Sequence, residues 1–105
     1  MPTVSLPSRF FAGTLASSEA TVYTTPAAQI DVITSVTFGN LTDVARQVTL
    51  KLANEFLAKS LDIPPRAVIV LDFRQVLNTA ENIKINADAA NAVSAFISGV
   101  KINNV

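Results

Sequence analysis

Apolar and polar positions alternate along most of this chain with the period of two that marks half-buried β-strands. The pattern is longest between residues 30 and 52. Ile30, Val32, Thr34, Val36 and Phe38 fall on one face, and Val44, Val48, Leu50 and Leu52 repeat the pattern after a break. The break, Gly39-Asn40-Leu41-Thr42-Asp43, carries turn chemistry: glycine accepts positive φ, and Asn and Asp hydrogen-bond nearby backbone. The spacing predicts a long hairpin, whose apolar face must be buried on more sheet.

Residues 14–25 offer two short strands, around Leu15 and around Thr21-Val22-Tyr23, with Ser17-Ser18-Glu19 as the turn. Tyr23, the only tyrosine, is expected to be a half-buried strand residue with a hydrated hydroxyl. Residues 42–61 also fit an amphipathic helix, with Thr42 as its N-cap and Pro64-Pro65 as its stop. Leu50 lies off that helical stripe, and residues 48–52 alternate cleanly. Strands at 44–52 and 56–59 around an Ala53-Asn54-Glu55 turn are therefore the expectation. The run Ala67-Val68-Ile69-Val70-Leu71-Asp72-Phe73 reads as buried on both faces near a sheet centre. Val76-Leu77 and the polar turn 78–81 follow. Asn82-Ile83-Lys84-Ile85-Asn86-Ala87 then alternates apolar inward and polar outward, and 92–102 forms the last strand. Short strands at spacings of about 8 to 12 residues indicate an all-β, antiparallel β-sandwich, jelly-roll or immunoglobulin-like, of about eight strands.

Residues 1–13 read differently. Pro2 and Pro7 oppose a helix and fit poorly in a central strand. The sequence thus divides into an extended N-terminal arm, 1–13, and one sandwich domain, 14–105. Val4, Leu6, Phe10 and Phe11 give the arm apolar weight, either for docking on a partner or for folding back on the domain's own sheet.

Composition narrows the function classes. The 105 residues are 50% hydrophobic and 15% charged, with eight basic residues balancing eight acidic ones along the chain. That balance lacks the local positive excess of a nucleic-acid-binding patch. Surface so poor in charge is either solubilised by Ser, Thr and Asn or covered by a partner. With no Cys and no His, the chain has no disulfide, thiolate nucleophile or imidazole base. Residues 1–11 lack the pattern of a secretory signal, and no apolar run approaches the roughly 20 residues of a membrane-spanning helix. The expectation is synthesis in the cytoplasm without an address.

Candidate chemistry is sparse. Asp31, Asp43, Glu55, Asp62, Asp72, Glu81 and Asp88 sit mostly in turns or at polar strand positions, where capping is their ordinary work. Asp72 is a charge inside an apolar strand, with Arg66, Arg74 and Lys84 as candidate ion-pair partners. The 78–81 turn, or Asp88 with Asn91, offers oxygen ligands to calcium without the dense acidic spacing of a binding loop. Three glycines make no phosphate-cradling loop. No catalytic, cofactor or metal residues are assigned, and no small-molecule substrate is implied.

A family resemblance enters at four places. They are Val22-Tyr23-Thr24-Thr25-Pro26-Ala27 before Ile33-Thr34-Ser35-Val36-Thr37-Phe38-Gly39-Asn40; Ile63-Pro64-Pro65-Arg66; Arg74-Gln75-Val76-Leu77-Asn78-Thr79-Ala80-Glu81-Asn82-Ile83; and Ala92 to Val100. Their order resembles the small β-sandwich virion proteins of tailed bacteriophages, which decorate or cement capsids or occupy head and tail positions. Family members often carry Gly-Asp where this chain has Ala80-Glu81. The resemblance implies a non-enzymatic capsid decoration protein, often a homotrimer, bound to the major capsid protein on the virion surface. It also implies an arm, here Val4, Leu6, Phe10 and Phe11, reaching a neighbour. A neck, tail or fibre-attached module is the alternative within that class. A carbohydrate-binding sandwich is the alternative outside it, for which a chain without Trp and with one Tyr is poor material.

Overall fold

Every element is a β-strand in the computed structural model, which describes the backbone of residues 3–104 and the side-chain surroundings of residues 6–102. The strands are β1 (Thr3–Thr14), β2 (Ala20–Thr24), β3 (Gln29–Asn40), β4 (Arg46–Leu52), β5 (Glu55–Ile63), β6 (Val68–Leu77), β7 (Asn82–Ala87) and β8 (Val93–Asn104). They form two four-stranded sheets, ordered β1-β8-β3-β6 and β2-β7-β4-β5. The antiparallel pairs β1·β8, β2·β7, β3·β6 and β4·β5 describe one long ribbon, doubled back at the β4–β5 turn and rolled up. Pairings β3·β8 and β4·β7 join the edges of the roll. This is a jelly roll, so the sequence expectation of an antiparallel β-sandwich holds and its immunoglobulin-like alternative does not.

Rolling the ribbon explains where hairpins read from the sequence are replaced. Residues 30–52 do not form a hairpin: β3 and β4 lie in opposite sheets, and the polar break crosses from one to the other. Consecutive paired strands occur once, at β4–β5. There Ala53 and Asn54 both take positive φ, 52° and 66°, as a two-residue type I′ turn requires. The strand reading of this segment is therefore right and the helix reading is not, although β5 is longer than the expected 56–59.

The crossing after β3 is tied by Asn40. Its Nδ2 group donates toward the carbonyls of Val44 (2.8 Å), Ile63 (3.1 Å) and Pro64 (3.1 Å), and its Oδ1 accepts from the Thr42 amide (2.9 Å) and hydroxyl (2.7 Å). One buried amide thus joins the β3–β4 and β5–β6 connections.

The core lies between the sheets. Ile33, Val36 and Phe38 of β3 and Val93, Ala95 and Ile97 of β8 face Val48, Leu50 and Leu52 of β4 and Ile83, Ile85 and Ala87 of β7. Burying each large aliphatic or Phe side chain stabilises the fold by about 1.5–3 kcal/mol relative to exposure. β4 and β7 alternate as their sequences predict. In β3 the expected face is inverted over its first half. The register against β8 slips between Ile33 and Ser35, and this bulge lets Asp31 and Ile33 face inward before it and Val36 and Phe38 after it. Ile30 and Val32 consequently point outward, opposite Ile102 and Val100.

Two further expectations are corrected. The run 67–73 is not central; β6 is an edge strand, and Val68 and Val70 stand in solvent. Residues 3–13 are not an arm apart from the domain, because β1 pairs with β8 from Thr3↔Asn104 to Thr14↔Ser94; the first two residues of the expected arm, 1–13, lie outside the described residues. Pro7 is accommodated because β1 is an edge. At Gly99 a Cβ would collide with the Val32 carbonyl and stand 2.8 Å from the Phe10 ring, so glycine is what lets β3, β8 and β1 close up here.

Candidate functional site

The proposed arm residues part company in the structure. Phe10 is 8% exposed, bulged inward from β1, and its ring meets that of Tyr23 edge-on at 4.9 Å between centroids. Phe11 is half-buried against the same core. Both are thus spent within the domain, which corrects their assignment to a partner. Leu6 is half exposed near the end of β1. Val4 pairs through its backbone with Asn103, and its side chain lies outside the described residues.

Beside Phe10 sits a polar cluster that the sequence reading missed. Asp31, wholly buried, accepts hydrogen bonds on Oδ2 from the Tyr23 hydroxyl (2.7 Å) and Thr25 Oγ1 (2.9 Å), and on Oδ1 from Gln29 Nε2 (2.6 Å). Gln29 Nε2 also donates to the Tyr23 oxygen at 3.0 Å. The Tyr23 hydroxyl is therefore engaged, not hydrated as expected. Burial, and then the adjacent carboxylate, hold it protonated well above the ordinary tyrosine range. Lys101, opposite Asp31 in the register, places its ammonium 5.6 Å and 5.7 Å from the centroids of Phe10 and Tyr23. A carboxylate sealed behind three neutral donors has no access to a substrate. Its chemistry is to lock β2, the turn before β3, and β3 together.

The other carboxylates are dispersed. Asp43 pairs with Arg66 at 2.6 Å on the surface. Glu19 reaches Lys51 at 2.9 Å and Lys84 at 4.0 Å, and its carboxyl is held below the usual range chiefly by the hydrogen bond from Lys51. Asp72 is exposed, and none of its expected partners pairs with it among the described residues. No group of three or more His, Cys, Asp or Glu side chains placed to hold a metal ion exists among the described residues. An open groove of about 530 Å³ runs between β5 and β6, where Leu57, Leu61 and Leu71 alternate with Lys59, Ser60 and Asp62.

The outward faces of the two sheets differ sharply in character. On the second sheet, the row Thr21–Lys84–Lys51–Phe56 runs straight across, with Asn86 beside Thr49. Lys51 lies 4.6 Å over the Phe56 ring, and Glu19 bridges the two lysines. Apart from Phe56, which lies under the Lys51 ammonium, this row is polar and internally paired. The first sheet is the opposite. Its register aligns Thr14–Ser94–Gly39–Val68, Ala12–Phe96–Thr37–Val70, Arg9–Ser98–Ser35–Asp72 and Pro7–Val100–Val32–Val76, with Ile102 beside Ile30 beyond. Val68 is 66% exposed, Val76 53%, Val70 52% and Phe96 49%. Apolar side chains thus lie on either side of the polar row Arg9–Ser98–Ser35–Asp72, and exposed apolar side chains grouped in this way are of the kind that partner surfaces cover. The alternation of β3 and β8 hinted at this grouping; the bulge and the edge position of β6, which complete it, were not legible.

No family model matches the chain, and no curated protein matches it in sequence. Solved structures do. The pili described as Bacillus endospore appendages, a novel disulfide-linked family, align over 98% of this chain and 89% of that chain, with TM-score 0.51 and 14% identity. The virus-like particle of the extra small virus of the giant freshwater prawn Macrobrachium rosenbergii aligns over 96% and 77%, with TM-score 0.51 and 13% identity. An exo-β-1,3-galactanase from Phanerochaete chrysosporium aligns over 92% of this chain, which spans 27% of that enzyme, with TM-score 0.48 and 17% identity. At these identities the likeness concerns the fold: a β-sandwich also found in viral capsid and pilus proteins.

Proposed function

We propose that this chain is a non-enzymatic structural subunit of a bacteriophage virion, a decoration (cement) protein carried on the capsid surface by the major capsid protein. The observation that carries the reading is the contrast between the two outward faces, one with a polar, internally paired row, the other with exposed apolar side chains on either side of a polar row. A freely diffusing monomer has no use for the second face, whereas a subunit held in an assembly covers it. The fold is one that particle- and filament-forming proteins also use. Many equivalent attachment sites make modest affinity per copy sufficient. Phe56 and Phe96, the exposed phenylalanines, stand on opposite sheets and so make no aromatic platform for a sugar.

Quantitative mass spectrometry of the intact purified particle tests the reading, through the copy number relative to the major capsid protein. Hundreds of copies are expected. A dozen or fewer moves the protein to the neck, tail or a fibre, and absence from the particle overturns the virion reading.

A further inference from the structure

We infer that the apolar outward face of the first sheet is covered by the same face of a second copy, related by a two-fold axis running along the strands. This inference rests on the reading of that face as a surface buried in the assembly, and it names the occupant.

Two observations select a second copy. The first is area. Four strands spaced about 4.8 Å apart, the longest of 12 residues rising about 3.3 Å each, span roughly 19 by 40 Å. That is on the order of 750 Å² per copy, close to the roughly 800 Å² per partner of a stable interface. The second is charge. Arg9 and Asp72 lie in one aligned row, at opposite edges of the sheet, separated by Ser98 and Ser35. Both are exposed, and neither belongs to an ion pair among the described residues; Arg74, in the bulge beside Asp72, is likewise outside any.

The symmetry follows from where these charges stand. Turning a second sheet over about an axis parallel to the strands lays its β1 on β6 and its β6 on β1. Arg9 of each copy then faces Asp72 of the other, while Phe96 and Val100 of β8 stay near the centre and Val70 and Val76 of β6 lie over Ala12 and Pro7 of the second copy. Sheets packed face to face are about 10 Å apart, a gap an arginine and an aspartate can bridge together. An axis across the strands and through this row would set Arg9 on Arg9 and Asp72 on Asp72. Charge thus opposes the second orientation at that register and closes the first as an isologous pair.

The test is sedimentation equilibrium on the purified full chain, with circular dichroism as the folding control. A concentration-dependent dimer is expected. Phe96→Asp and Val70→Asp, each at a half-exposed position, should give folded monomers. Arg9→Asp or Asp72→Arg alone should weaken the dimer by about tenfold, since each replaces two attractions with two repulsions. The double charge swap should return the affinity to within about threefold of the starting protein. A wild-type chain that stays monomeric, or forms the trimer of the virion-protein resemblance, overturns the inference. A dimer indifferent to both single reversals overturns its axis. The two readings fail separately: a monomer counted in particles sinks only the dimer, and a two-fold dimer missing from every particle sinks only the virion role.

Discussion

Tyr23 directs its hydroxyl at a carboxylate that water does not reach, which gives the residue an unusual titration. Ionising it would set a phenolate against Asp31, so the folded state keeps the proton beyond the ordinary tyrosine value of about 10. The sign follows from linkage. An acid whose folded pKa is raised contributes stability that is complete below the unfolded value and disappears as pH climbs from there toward the folded one. Alkaline solutions should therefore destabilise the protein from about pH 10 upward. As the chain has one Tyr and no Trp, the near-ultraviolet tyrosinate band reports this residue alone. Its midpoint should lie above the ordinary value in the native protein and return to it in denaturant; a native midpoint at the ordinary value would refute the buried pair. Tyr23→Phe should remove the alkaline loss specific to this group and cost about 1.5–3 kcal/mol at neutral pH. None of this was legible at Asp31 by strict alternation, because Ile30 and Val32 occupied the predicted inner face. A clue was present in Ile33 and Val36, apolar positions three apart with the small polar pair Thr34-Ser35 between them. That spacing is what a bulge leaves in a strand.

At the scale of elements, alternation identified strands well and their neighbours poorly. β4 and β7 read directly, because each has one face in the core and one in water. β6 did not, since a run apolar on both faces looks the same whether a sheet's own layers or a partner cover it. The turn chemistry of residues 39–43 was recognised, but period two says which face a side chain takes and nothing about which sheet receives the next strand. What decides the crossing is Asn40, whose amide serves carbonyls on both connections. Asn40→Ala leaves those carbonyls and the Thr42 amide short of partners, and should cost about 3 kcal/mol. Asn40→Asp, which sets a negative oxygen against the carbonyls, should cost at least as much. Urea unfolding of the two variants checks both statements, and a loss below about 0.5 kcal/mol for either would show that solvent satisfies the crossing instead.

For the whole molecule, the rolled ribbon places its first and last strands side by side, so that Thr3 pairs with Asn104 at the far end of the chain. Non-local pairing of this kind is slow, because the loop entropy of bringing the strands together is lost before contacts reward it. The same geometry supplies a way to measure that cost. Joining the two ends with a short flexible linker and reopening the chain in the exposed 16–19 connection places β1 directly after β8. The longest-range pairing of the jelly roll then becomes a local hairpin, while every strand keeps its neighbours. The closure entropy relieved is on the order of 2 kcal/mol. If β1 is docked in the folding transition state, the permuted chain should fold up to about thirtyfold faster, with its unfolding rate little changed. Stopped-flow refolding across denaturant concentrations measures both limbs. An unchanged folding rate would mean that β1 joins after the barrier, as a strand laid onto an already closed sandwich. The reading of residues 1–13 as a segment apart from the domain would then describe the order of folding, though not the folded state. Removing β1 outright asks a different question, because it takes Phe10 from the core and bares the edge of β8. The permutant keeps both in place and changes only the length of chain between them.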